Sequence, residues 1–82
     1  MKEKIRKGKL KFEIETDTFP DTINVSPESI GYLREQLELD ENANEYDGMQ
    51  IVIDGEIIVG AIALSLGVAS ERKLDYMEMI LI

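Results

Sequence analysis

The stretch Asp40-Glu41-Asn42-Ala43-Asn44 alternates oxygen-bearing side chains in the D-x-[DN]-x-[DN] order that opens a calcium loop. Side chains alternating in this way can wrap a hard cation in oxygen ligands. The continuation does not suit such a site. A glycine is needed at the sixth position, where the chain has Glu45, and a bidentate glutamate at the twelfth, where it has Ile51. The run from Asp40 to Gly48 therefore reads as a solvated loop, with Asp47 and Gly48 turning the chain into the next strand. No calcium site is expected there.

The other carboxylates that could do acid–base or metal chemistry are Glu45, Asp47, Asp54, Glu56, Asp75 and Glu78. They are spread over expected loops and strands, and no spacing selects a pair among them. Ser26, Ser29, Ser65 and Ser70 have no histidine to activate them, because the chain contains neither histidine nor cysteine. Those two absences remove Cys/His nucleophile–base pairs and the side chain best suited to proton transfer near neutral pH. They also remove the usual ligands of zinc and copper. Gly55, Gly60 and Gly67 lie too far apart for a phosphate-binding loop. The residues point away from catalysis, and no metal or cofactor is expected. An enzyme with a carboxylate-based metal site is the third of three readings.

Charge is the stronger signal. The chain has 82 residues and a net charge of −8. Residues 1–11 carry six bases and one acid, a sum of +5, whereas residues 12–82 carry sixteen acids and three bases, a sum of −13. Such asymmetry bears on partners and association rates rather than on fold. The basic segment has three readings: a solubilising mobile tail, a contact to nucleic-acid phosphates, or a contact to the acidic body of a neighbouring subunit. Direct nucleic-acid binding is not expected, since the acidic body repels phosphates and no aromatic or arginine cluster accompanies the lysines.

The acidic body offers a binding surface. Glu28, Glu35, Glu38, Asp40, Glu41, Glu45 and Asp47 follow one another along an expected helix and the loop after it. Tyr32 and Tyr46 stand among them as amphipathic aromatics suited to interfaces. These nine residues are the expected partner-binding set, facing a basic surface of a protein partner. Plain solubility is the competing reading.

The elements that must position these residues centre on Met49–Leu66. Two apolar runs flank Asp54-Gly55, a strong signal for a two-residue hairpin. Taken so, one face carries Met49, Ile51, Ile53, Ile58, Ile62, Leu64 and Leu66. The other carries Val52, Ile57, Val59 and the small residues Ala61, Ala63 and Ser65, and is closely approached. Lys9–Thr16 alternates as a half-buried strand, with Leu10, Phe12 and Ile14 on one side. Residues 1–8 precede it as a mobile basic arm. Thr16–Asn24 reads as a loop. Ser26 as N-cap and Pro27 at the first helical position open a helix over Pro27–Leu39, with Ile30, Leu33 and Leu37 facing the sheet. Gly31 in that helix suggests close approach to the small face. Gly67–Arg72 reads as a turn and Lys73–Ile82 as a last strand. Helical readings stay open for Ile57–Val68 and for Leu74–Ile82.

The expected fold is thus α+β: a single antiparallel sheet in the chain order β-α-β-β-β with one helix on one face. Its core is Leu10, Phe12, Ile14, Ile30, Leu33, Leu37, Ile51, Ile53, Ile58, Ile62 and Leu64. All 82 residues read as one small domain. A chain of this size hides only about 60% of its unfolded surface, and no disulfide is available to help. A homo-oligomer, dimer or larger, is expected for that reason. The expected setting is cytoplasmic, with no membrane segment.

In composition the chain is small, acidic and free of cysteine. In this it resembles accessory proteins of bacteriophages and mobile elements, including inhibitors of host defence enzymes. The resemblance implies a non-catalytic binding protein that inhibits or regulates its partner, and it carries no residues over. The alternative is a homo-oligomer that binds a small ligand at its subunit interface.

Overall fold

The computed structural model describes residues 1–71 and 75–82. Its centre is a strand that the sequence reading took for a loop, β1 (Thr22–Val25), all four residues of which are buried. Three of the four are β-branched, which suits a pleated, enclosed position. β1 runs parallel to β3 (Met49–Ile53) and antiparallel to β4 (Ala61–Ser65). Ile23 therefore sits between Ile51 and Leu64, and Val25 between Ile53 and Ile62. A short β2 (Glu45–Tyr46) closes one edge and β5 (Glu78–Leu81) the other, giving the order β2-β3-β1-β4-β5. The α+β class holds, but the sheet is mixed rather than antiparallel and carries two helices rather than one.

Insertion of β1 between β3 and β4 overturns the hairpin at Asp54-Gly55. The segment joining β3 to β4 must cross a strand's width, and it does so through successive turns. Asp54 N–H donates to Val25 O, Ile57 N–H to Asp54 O, and Ala61 N–H to Ile58 O. The true two-residue hairpin is the other Asp-Gly pair. Asp47 (φ 50°) and Gly48 (φ 78°) are both left-handed, and Tyr46 pairs with Met49 around them.

The expected mobile arm and the expected strand Lys9–Thr16 are one helix, α1 (Lys2–Thr16). Ile5, Gly8 and Phe12 are its buried residues, at helical spacing. Leu10 and Ile14, placed in the core by period-two alternation, are exposed. Gly8 lets α1 settle on the sheet: a Cβ there would lie 2.6 Å from Ile80 Cδ1 and 3.2 Å from Leu64 Cδ1.

α2 (Ile30–Gln36) joins β1 to β3 as a parallel crossover. It is shorter than Pro27–Leu39, because residues 27–29 form a turn first. Ser26, expected to cap the helix itself, opens that turn instead, its Oγ accepting from Ser29 N–H at 3.2 Å, and Ser29 is the residue that precedes the helix. The helix closes with Glu38 left-handed (φ 59°) and Leu39 N–H donating to Arg34 O. That is a Schellman ending with glutamate in the place glycine usually holds.

Both helices cover the same face. Ile5, Leu33 and Leu37 pack with Ile23, Val25, Met49, Ile51, Ile62, Leu64 and Ile80. Ile30 joins at the margin, whereas Ile53 and Ile58, expected in the core, are exposed. The small face is closely approached, as its residues suggested, but by loops: Ala63 packs with Ile57, Ala69 and Met77. Gly31 has nothing within 4 Å of where its Cβ would stand, so the approach expected for it is absent. Buried Asn24 fastens this side. Its Nδ2 donates to Ala63 O (2.9 Å) and Ser65 Oγ (2.7 Å), and its Oδ1 accepts from Ala69 N–H (2.9 Å).

Ala69–Glu71 is a short 3₁₀ turn. Arg72 of the expected turn, and Lys73 and Leu74 of the expected last strand, lie outside the described residues. Ile57–Gly60 is turn and Ala61–Ser65 strand, so Ile57–Val68 is not a helix. Among the described residues, no helix is long and apolar enough to cross a membrane.

Candidate functional site

The basic residues of α1 fold back on the acids of their own chain. Lys9 Nζ lies 3.0 Å from Asp47 Oδ2, Lys2 Nζ 3.5 Å from Glu38 Oε2, and Lys11 Nζ 3.7 Å from Glu78 Oε2. Within α1, Arg6 pairs with Glu3. This bond holds the Glu3 carboxyl below its usual range and raises the Arg6 guanidinium. The charge asymmetry is therefore partly neutralised within one protomer.

This pairing divides the nine expected partner-binding residues. Glu38 and Asp47 are engaged by lysines. Glu45 accepts from Gln50 Nε2 at 3.3 Å. Tyr46, expected at an open interface, instead packs half-buried against the main core. Glu28, Tyr32, Glu35, Asp40 and Glu41 remain exposed, and their side chains make no hydrogen bond or ion pair among the described residues. Glu28, Tyr32 and Glu35 recur at spacings of four and three along the outer side of α2 and the turn before it. Tyr32 is 51% exposed, and the open space beside Gly31 adjoins it. Arg34 Nε donates to Ala43 O at 2.8 Å, which ties α2 to the loop holding Asp40 and Glu41.

In that loop the Ala43 carbonyl accepts from Arg34 Nε and the Asn44 carbonyl from Ile51 N–H at 2.7 Å. Among the described residues no cluster of three or more acidic side chains is placed to hold a metal ion.

Sequence reasoning missed Asp54 as a structural residue. It is buried, and its Oδ1 accepts from Glu56 N–H at 2.9 Å, a turn-forming contact. Among the described residues its Oδ2 has no hydrogen-bond partner, and it is closed off from solvent. A cavity of about 220 Å³ lies beside it, lined by Asp54, Glu56, Ile57, Ala69, Ser70 and Met77. The Tyr76 ring lies tilted against Phe12, ring centroids 5.5 Å apart, and its hydroxyl donates a hydrogen bond to Glu78. That bond pushes the phenol up to about 12.

Compared with models of protein families, with curated proteins and with solved structures, the chain finds no match.

Proposed function

We propose that this protein is a non-catalytic acidic binding protein that inhibits or regulates a partner by docking on its basic surface. A groove that otherwise holds nucleic acid is the kind of surface it fits. The observation that carries this reading is Tyr32, half exposed between Glu28 and Glu35, two acids that make no hydrogen bond or ion pair among the described residues. A rigid aromatic flanked by charge is the composition of an interface anchor rather than of a solvated face. The small acidic composition supports an accessory protein of bacteriophage or mobile-element type, and the lack of cysteine suits a cytoplasmic setting.

The test compares partner capture by the parent protein with capture by Tyr32→Ala and by Glu28→Lys/Glu35→Lys. A control, Glu15→Lys/Glu71→Lys, changes net charge equally elsewhere. Capture lost in the first two and kept in the control supports the reading. Equal loss in both charge variants would show that net charge, not this surface, governs binding.

Self-association belongs to the same proposal, because Ile58, Val59 and Leu81 are 69%, 60% and 75% exposed. Ile82 N–H bonds to Gly60 O, which brings the chain around Val59 beside the end of β5. Stacking two such corners would cover the patch and leave the backbone edge of β5 open. A single monomeric species in sedimentation velocity at about 0.1 M and about 1 M salt would refute it.

A further inference from the structure

β5 ends the sheet, so among the described residues one side of its backbone has no strand beside it. Its pairing with β4 is antiparallel, with Ile62 opposite Ile80, and Ile82 N–H donates to Gly60 O. Hydrogen-bonded pairs alternate along an antiparallel ladder. Glu78, Ile80 and Ile82 therefore bond inward, while the N–H and C=O groups of Met79 and Leu81 point away from the sheet. α1 runs along this edge. Lys4, Lys7, Gly8 and Lys11 face Glu78, Met79 and Ile80 across an open groove of about 230 Å³. Lys4 Nζ donates to Leu81 O at 3.2 Å, so an ammonium stands at the strand edge itself. Glu78, the acid in the groove, is already engaged by Tyr76 and Lys11. Lys7 forms no ion pair among the described residues.

We propose that this edge receives an acidic extended peptide segment of another protein as a sixth strand, its alternate carboxylates meeting Lys4, Lys7 and Lys11. Strand addition draws its affinity from backbone hydrogen bonds and its selectivity from side chains. Here the selectivity is electrostatic. A lysine on a sheet edge guards against indiscriminate pairing. A neutral or basic strand would displace Lys4 from Leu81 O and return nothing to the ammonium, whereas an acidic strand offers a carboxylate in exchange.

The spacing also fits. Lys4 to Lys11 covers about 10 Å of helix axis. Side chains on one face of a strand recur about every 6.8 Å, so acids two residues apart both lie under the lysine row. The intervening residues of the peptide fall on the opposite face, beside Met79 and Leu81, which are 45% and 75% exposed. The recognised pattern is acid–apolar–acid–apolar. A second copy of this chain is a poor occupant, since two-fold pairing of β5 with β5 sets two lysine rows side by side. A nucleic acid could meet the lysines but would leave the edge N–H and C=O groups unused. This edge lies at the opposite end of the sheet from β2, and the proposal does not rest on the α2 surface.

The test titrates isotopically labelled full-length protein with a capped peptide of alternating Val and Glu. A Val/Lys peptide and a single-stranded oligonucleotide serve as comparisons. Saturable binding of the acidic peptide is expected, with slowed amide exchange at Met79 and Leu81 and none of that change at Ile62. Lys4→Glu/Lys7→Glu should weaken it by about ten-fold or more, the pairing of a charge-assisted contact with its reversal, and Lys4→Arg/Lys7→Arg should retain it. If the double reversal disturbs the helix, Lys7→Glu alone provides the reading, because that exposed side chain makes no hydrogen bond or ion pair among the described residues. The proposal is overturned by absence of saturable binding up to millimolar peptide, or by equal binding of the Val/Lys peptide. It is equally overturned by shifts confined to α1 with unchanged exchange at Met79 and Leu81, or by tighter binding of the oligonucleotide.

Discussion

Lys9 Nζ reaches both the carboxylate (3.0 Å) and the main-chain carbonyl (3.2 Å) of Asp47, the left-handed residue at the tip of the β2–β3 hairpin. One lysine thereby fixes α1 to a hairpin 38 residues away in the chain. Asp47→Asn keeps a side chain that tolerates the left-handed conformation and removes the charge. Asp47 is exposed and Lys9 half-buried, so the expected loss is about 1 kcal/mol. Denaturant midpoints should show the loss at about 0.1 M salt and a smaller one at about 1 M.

Glu38→Gly should stabilise the protein. The residue is left-handed at φ 59°, where a Cβ is unfavourable, and its pairing with Lys2 is exposed on both sides. Relief of the backbone penalty is worth about 1 kcal/mol, set against an ion pair of smaller worth. A lower melting temperature for the variant would contradict this.

Asn24→Ala should cost about 2–4 kcal/mol, because it leaves Ala69 N–H and Ala63 O buried without their partner. Asn42→Ala, in the exposed loop, should stay within about 0.5 kcal/mol of the parent. Urea unfolding of the two variants side by side measures the contrast.

The Tyr76 phenol, pushed up to about 12 from 10.0 by its bond to Glu78, holds its proton more tightly in the folded state. The stability this contributes is complete below pH 10.0 and is lost as pH rises toward about 12. Near-ultraviolet titration of the phenolates should resolve one late tyrosine. Glu78→Gln should return it toward the ordinary range and flatten the alkaline part of the stability profile.

Calcium should leave the protein unchanged, since Glu45 stands where a calcium loop needs glycine and Ile51 where it needs a bidentate glutamate. Calorimetric titration that found a site tighter than about 10⁻⁵ M would show otherwise.

The strands Met49–Ile53 and Ala61–Ser65 were legible because apolar runs of that length declare themselves. Their pairing was not. Two Asp-Gly pairs carry the same local signal, and only the insertion of β1 decides that Asp47-Gly48 makes the hairpin. β1 itself was hidden because Thr22 and Asn24 read as loop residues, whereas Asn24 is polar for the sake of three buried hydrogen bonds. In α1, Leu10, Phe12 and Ile14 suggested a period of two. The deciding set is Met1, Ile5, Gly8 and Phe12, whose helical period is masked by a glycine that packs as a small residue. Helix phase set Glu28, Glu35 and Glu38 off the apolar stripe, and all three are exposed. The engagement of Glu38 and Asp47 by lysines was not legible, since it joins residues 36 and 38 positions apart.

The central position of β1 also dictates a sequence of events in time. Its neighbours arrive from later in the chain, β3 after a crossover and β4 later still, while α1 has its sheet contacts on β4 and β5. Loops that long must close before any of these contacts is rewarded, which places the chain among slow folders for its size, in milliseconds or longer rather than microseconds. During synthesis α1 emerges before every strand of the sheet and finds its seat last. Until β5 has left the ribosome, the apolar stripe of Ile5 and Phe12 has no complete seat. A chaperone that reads exposed amphipathic helices would therefore meet this protein at α1.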